Sequence, residues 1–246
     1  MRIIFLGTNG WYSTFNNTTS TLIDSNDHYV ILDAGDGLHK IDEYVKEDKP
    51  IILFLSHVHL DHIIGLHVLN KFRFKQNVEI IGYKGTKEDL NTIIKHPYTS
   101  PFEEVPYEIE ILEIEEKDYD NPIPFSCRLL IHSDKCLGFR IKLEKKIISY
   151  CTDTGVCDAL YELSNNADLL ISECSYKLGQ EEWGWAHLKP EEIATVALKS
   201  NVKRLILTHF DASLFPTLES RKKAVDKAKP IFKATLSAYD TFELKI

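Results

Sequence analysis

Residues 53–66 read Leu-Phe-Leu-Ser-His-Val-His-Leu-Asp-His-Ile-Ile-Gly-Leu (LFLSHVHLDHIIGL), and they decide the fold. An apolar run gives way to His57, His59, Asp61 and His62, and apolar sequence then resumes. In extended chain, side chains at i, i+2 and i+4 share one side, so His57, His59 and Asp61 can converge on one point. His62 projects from the start of a helix expected to begin near Asp61 and to carry Ile63, Leu66, Leu69 and Asn70. Neutral imidazole and carboxylate suit Zn, Mn or Fe(II) alike, so residue type leaves the metal open. The competing reading is a polar loop in which Asp61 caps a helix, a use that does not call for three histidines. The stretch therefore reads as half of a two-metal hydrolytic centre.

The other half is sought where apolar strands end in a ligand-type side chain. Leu129-Leu130-Ile131 ends in His132. Ile147-Ile148-Ser149-Tyr150 leads through Cys151-Thr152 to Asp153, and Leu205-Ile206-Leu207 leads through Thr208 to His209. Side chains so placed stand on the rigid edge of a sheet, where preorganised chemistry is best supported. Singly, each has a plainer explanation: an edge histidine, a turn aspartate beside Gly155, a loop histidine. Beside the 53–66 motif, those explanations weaken together.

Bulk properties agree with one soluble α/β enzyme. The 246 residues, 43% of them hydrophobic, suffice for one sizeable core, and no repeat or Pro/Gly/Ser-rich linker offers a place to divide them. A formal charge of −8 disfavours a surface made for nucleic acid, although a metal centre can make one cleft positive. No apolar run is long enough for a signal peptide or a membrane helix. The five cysteines form no C-x-x-C pair and read as reduced, mostly buried thiols, so a cytoplasmic location is expected. Strands are predicted over 3–6, 19–24, 29–33, 51–55, 107–114, 125–131, 137–143, 147–150, 169–172 and 205–207. Helices are predicted over 87–95 and from Pro190 through 191–199, with 96–106 an irregular loop. Two runs of strands, each followed by helices, suggest two sheets packed together and covered by helices. The basic clusters Lys142, Lys145, Lys146 and Arg221, Lys222, Lys223 read as solvated faces.

In this order the residues resemble the metallo-β-lactamase superfamily over nearly the whole chain. Leu32-Asp33-Ala34-Gly35 is similar to the short motif that precedes the histidines, which implies that Asp33 supports the histidine loop. The resemblance implies an α/β fold, the αββα four-layer sandwich, as one domain over 1–246 with a binuclear site at one edge. It implies that His57, His59 and His132 hold one divalent ion, that Asp61, His62 and His209 hold the other, and that Asp153 bridges them. Zinc is the first expectation for the two ions, manganese or iron the alternatives.

Two further stretches are similar to ribonuclease Z-like members: His132 through Gly138-Phe139-Arg140, and His187-Leu188-Lys189-Pro190 with the helix after it. In that branch the second histidine assists phosphodiester cleavage and a glutamate at a strand end, here Glu173, lies near it. The plainer readings are a surface histidine for His187 and a buried carboxylate without chemistry for Glu173. One departure matters. Ribonuclease Z proper carries a tRNA-gripping arm between its third histidine motif and the bridging aspartate, whereas 21 positions separate His132 from Asp153 here. That favours the small phosphodiesterases of the branch, acting on cyclic nucleotides or similar diesters.

The expected reaction is attack on phosphorus by a hydroxide bridging the two ions. Asp61 would orient it or take its second proton, His187 would act as general acid, and Glu173 would lie beside His187. The loop 96–102, with His96, Tyr98 and Phe102, is either a pocket rim or a plain surface loop. The rival functions are an RNA 3′-processing endonuclease, a carboxyl-ester, lactone or thioester hydrolase, and a non-catalytic metal-binding protein. The expected partner is a small phosphodiester, with RNA second and no membrane, and the branch resemblance implies a homodimer.

Overall fold

A computed structural model of the chain describes residues 1–177, 179–180 and 185–246. It divides into two compact units. The first comprises Met1–Thr8, Asn16–Glu115 and Asp240–Ile246, and the second Asn9–Phe15 and Glu116–Tyr239.

Among the described residues, the first unit is built on a seven-stranded sheet in the order Phe242–Lys245, Arg2–Gly7, Ser20–Asp24, Tyr29–Leu32, Ile51–Phe54, Val78–Tyr83, Ile109–Ile114. The first four strands pair antiparallel, and from Tyr29–Leu32 onward every pairing is parallel. Ile51–Phe54 is buried at all four positions, which is why this parallel strand reads as a continuous apolar run without alternation. Leu38, Ile41, Ile63, Leu66, Leu69 and Leu90, from its helical segments, join Ile4, Leu6, Ile31, Leu53 and Ile80 of the strands in one core.

The second unit is built on a sheet in the order Thr235–Ser237, Leu205–Thr208, Leu169–Glu173, Lys146–Cys151, Leu137–Leu143, Phe125–Leu129, Asp118–Tyr119. Its first four strands are parallel and the remainder antiparallel. Helices Asp158–Ser164, Pro190–Lys199 and Leu218–Ala228 supply Leu160, Leu163, Ile193, Val196, Ala224 and Val225 to a core shared with Leu170, Leu205 and Leu207. Pro190 opens its helix as expected, with Glu191 and Glu192 in the first turn.

Several expectations are corrected. The predicted helix after Asp61 is one short α-turn, Leu60–Ile63, followed by a 3-10 segment, Ile64–Lys71. The Gly65 N–H leaves the helical ladder and donates to the Ala34 carbonyl at 2.8 Å, so a tertiary bond outranks helix continuation. The strand before His132 stops at Leu129, which puts the histidine on a bend beyond the sheet. Phe102, in the stretch expected as an irregular loop, packs into the first unit's core, and His96 pairs with Glu104 at 2.9 Å. Arg221 is not on a solvated face: it is fully buried, while Lys222 and Lys223 are exposed. Four of the cysteines are buried and all five are thiols outside any disulfide, as read.

Candidate metal centre

In both units, ligand-type side chains lie just beyond the carboxyl ends of parallel strands, the edge where open α/β sheets bind their ligands. In the first unit, Tyr29–Leu32 delivers Asp33 and Ile51–Phe54 delivers Ser56 and His57. Asp33 adopts a left-handed conformation, φ +57°, which turns its side chain back across the strand ends. Its Oδ1 accepts the Ser56 N–H at 2.7 Å, while Oδ2 accepts the Ser56 hydroxyl at 2.8 Å and His62 Nδ1–H at 2.7 Å. An ionised carboxylate only accepts, so His62 carries its proton on Nδ1 and keeps the Nε2 lone pair for an ion. Ser56 Oγ, its own proton given to Asp33, accepts from His57 Nδ1 at 3.0 Å and sets the same tautomer there. The rings of His57 and His59 lie 4.5 Å apart and those of His57 and His62 4.1 Å, with an Asp61 oxygen 3.6 Å from His62 Nε2.

In the second unit, Asp153 and His209 also adopt left-handed backbone, at φ +53° and +48°. Such conformations cost energy and persist where surroundings impose them, often at functional sites. Asp153 Oδ1 lies 3.1 Å from His209 Nε2 and Oδ2 lies 3.8 Å from His132 Nε2, so one carboxylate reaches a histidine on each side. The Ser175 hydroxyl donates to the His209 carbonyl at 2.8 Å and so accepts from His209 Nδ1–H at 3.2 Å. With Nδ1 so engaged, His209 presents Nε2 to the Asp153 carboxylate, a nitrogen and an oxygen placed to share a cation. This donor set fits a divalent ion. The nitrogen and oxygen ligands are those of Zn, Mn or Fe(II). Burial pushes the Cys151 and Cys174 thiols up, so neither competes as a thiolate ligand.

Glu173 and His187 are in direct contact. His187 Nδ1–H donates to Glu173 Oε1 at 2.8 Å. Glu173 is fully buried and also accepts the backbone amides of Thr154, Ser175 and Leu188 at 2.6, 3.2 and 3.3 Å. Burial alone would favour neutral His187. The Glu173 charge and hydrogen bond, helped by Asp153 and Asp211, prevail and push its pKa up to about 9. The His187 ring centroid lies 5.6 Å from that of His132 and 6.2 Å from that of His209. Arg140, by contrast, donates to the Leu163 carbonyl at 2.8 Å at a helix end, a structural use of the Gly138-Phe139-Arg140 stretch.

Sequence reasoning missed Ser56 and Ser175, which hold histidine tautomers, and Trp185, whose ring lies 6.1 Å from that of His132. Ser56 stands directly before His57, the one signal that could have found it.

Residues 28–210 match the family model described as the beta-lactamase superfamily domain, and the chain belongs to that superfamily. It is 29% identical to ribonuclease Z of Clostridium botulinum (strain Eklund 17B / Type B), over 312 aligned positions covering 96% of this chain and 95% of the relative. It is also 29% identical to the probable metallo-hydrolase YhfI of Bacillus subtilis (strain 168), over 217 positions covering 85% and 86%. The crystal structure of the metallo-beta-lactamase fold protein YhfI from Bacillus subtilis matches with a TM-score of 0.82 at 23% identity, covering 99% of each chain. The fold is thus the α/β metallo-β-lactamase fold expected from the sequence, and the chain is a metal-dependent hydrolase whose family implies divalent metal ions. No described helix is long and apolar enough to cross a membrane.

Proposed function

We propose that the chain is a metal-dependent phosphodiesterase acting on a small diester such as a cyclic nucleotide. The ligands would be His57, His59, Asp61, His62, His132, Asp153 and His209, the assignment that the motif resemblance implies. Two divalent ions there would activate water and neutralise charge developing on the phosphoryl oxygens. Asp61 would orient the attacking water and take its proton. The observation that carries the reading is the His187–Glu173 pair. A buried glutamate keeps the imidazole charged, with Nδ1 engaged and Nε2–H left to protonate a leaving oxygen. A metal-binding protein without catalysis has no use for such an acid beside its ligands.

The second reading, an RNA 3′-processing endonuclease, is favoured by similarity to ribonuclease Z. That alignment, however, runs over 312 positions against a chain of 246 residues, so the relative carries insertions that this chain lacks. Between His132 and Asp153 the chain spends its residues on the hairpin Leu137–Leu143 and Lys146–Cys151, which leaves no length for an arm.

The test is hydrolysis of bis(p-nitrophenyl) phosphate, cyclic nucleotides and 2′,3′-cyclic phosphates, with Zn, Mn and Fe(II) supplied separately and a 3′-extended tRNA precursor in parallel. Turnover of small diesters with the precursor left intact supports the first reading. Precursor cleavage without diester turnover supports the second.

A further inference from the structure

Arg221 is the largest fully buried side chain of the described residues. It sits in the first turn of the helix Leu218–Ala228. Its guanidinium donates to Asn9 Oδ1 and, at 3.2 Å, to the Ala238 carbonyl. It also lies over the rings of Phe210 and Phe15, 4.6 and 5.6 Å from their centroids. Asn9 is fixed at its other end, where Nδ2 donates to the Tyr12 carbonyl at 3.0 Å and Thr14 Oγ1 at 3.1 Å. The two-residue strand Asn9–Gly10 pairs in parallel with Phe210–Asp211, directly after His209.

Gly10 is seated against the His209 imidazole. A β-carbon there would stand 2.5 Å from Cε1, 2.7 Å from Nδ1 and 2.9 Å from Nε2, so any side chain would push the ring away. Ser175 holds the Nδ1 edge of the same ring. The left-handed backbone of His209 is not one its own sequence favours, so contacts of this kind must impose it.

We propose that Arg221, Asn9 and Gly10 are positioning residues for His209. The buried guanidinium locks Asn9, the short strand locks Gly10, and Gly10 presses the imidazole into the orientation that points Nε2 at Asp153. The consequence for ion binding rests on the ligand role proposed above for His209, but the orientation itself does not. Loosening a support of a ligand typically weakens ion affinity or activity about 10–100-fold.

The test reads the ring first without ions or substrate. Imidazole 1H–15N correlation spectra of the metal-free protein, with the His209 signals assigned by their loss in His209→Asn, are compared with those of Gly10→Ala, Arg221→Lys and Arg221→Met. Shifted or split His209 signals in Gly10→Ala and Arg221→Met, with near-UV dichroism native and partial recovery in Arg221→Lys, support the proposal. Manganese titration should then give a weaker second binding step, by about 10–100-fold, in Gly10→Ala. Arg221→Met strands a buried Asn9 acceptor and can unfold the protein, whereas Gly10→Ala removes no buried polar partner and decides the matter alone. His209 signals coincident with wild type in Gly10→Ala overturn the proposal whatever the diester assays give.

Discussion

His62 Nδ1 donates to Asp33 Oδ2 at 2.7 Å with both side chains wholly buried. Asp33 thereby sets the tautomer of His62 and, through Ser56, that of His57. In Asp33→Asn the amide offers a neutral oxygen and an unwanted N–H pair in the same space, so Nε2 of His62 is no longer the obligatory lone pair. Ion affinity should fall about 10–100-fold. Competition with a chromogenic chelator measures it, and wild-type affinity in the variant would remove Asp33 from the support of the ligands.

His187→Ala should leave ion content intact and lower turnover of a diester with an alcohol leaving group by about 10²–10⁴-fold. Bis(p-nitrophenyl) phosphate should suffer less, because p-nitrophenolate departs without a proton. Glu173→Gln should reproduce part of the loss, since it removes the charge that keeps His187 protonated. Equal losses on both substrates in steady-state assays would rule out proton donation by His187.

What could be read from the sequence follows from burial. Ile51–Phe54, Leu169–Glu173 and Leu205–Thr208 are buried throughout, so their apolar runs are unbroken and the ligands stand out at their ends. Val78–Tyr83 does not stand out, because Glu79 and Gly82 interrupt its apolar run. Leu218–Ala228 is hidden because its buried face is Arg221, Ala224, Val225 and Ala228, too small and too charged to show helical periodicity. For the same reason Arg221 reads as surface: one sequence cannot tell an arginine over two phenylalanine rings from one in water. Ser56 and Ser175 escape because a hydroxyl that sets a tautomer has no spacing of its own.

Gly35, in the Asp33-Ala34-Gly35 stretch, is required by close approach. A β-carbon would lie 2.4 Å from the Asp61 carbonyl oxygen and 2.5 Å from that of Thr19, both backbone atoms that no rotamer change can clear. Gly35→Ala should therefore cost at least the ~1–3 kcal/mol usual for core overpacking. It should weaken ion binding as well, because the displaced carbonyl belongs to Asp61 itself. Denaturant unfolding and an ion titration check the two effects, and an alanine variant of native stability would contradict the contact.

Asp24 tests the charge balance of the first unit away from the ligands. Its Oδ2 accepts from Arg2 Nη2 and Nε at 2.8 and 3.1 Å, and its Oδ1 from Lys49 Nζ at 2.7 Å. Burial pushes its pKa up, but the hydrogen bonds and charges of Lys49 and Arg2 outweigh burial and hold it below its ordinary value. A pKa lower in the folded than in the unfolded chain means that folding favours the charged form. The resulting stability is present above the unfolded value of about 3.9 and is lost as pH falls through the folded value. Asp24→Asn should lower the melting temperature at pH 7, and its gap to wild type should close as the pH drops below about 4. Thermal melts across that range decide it: a gap that persists at the acid end would mean that shape, and not the carboxylate charge, is what the strand end needs.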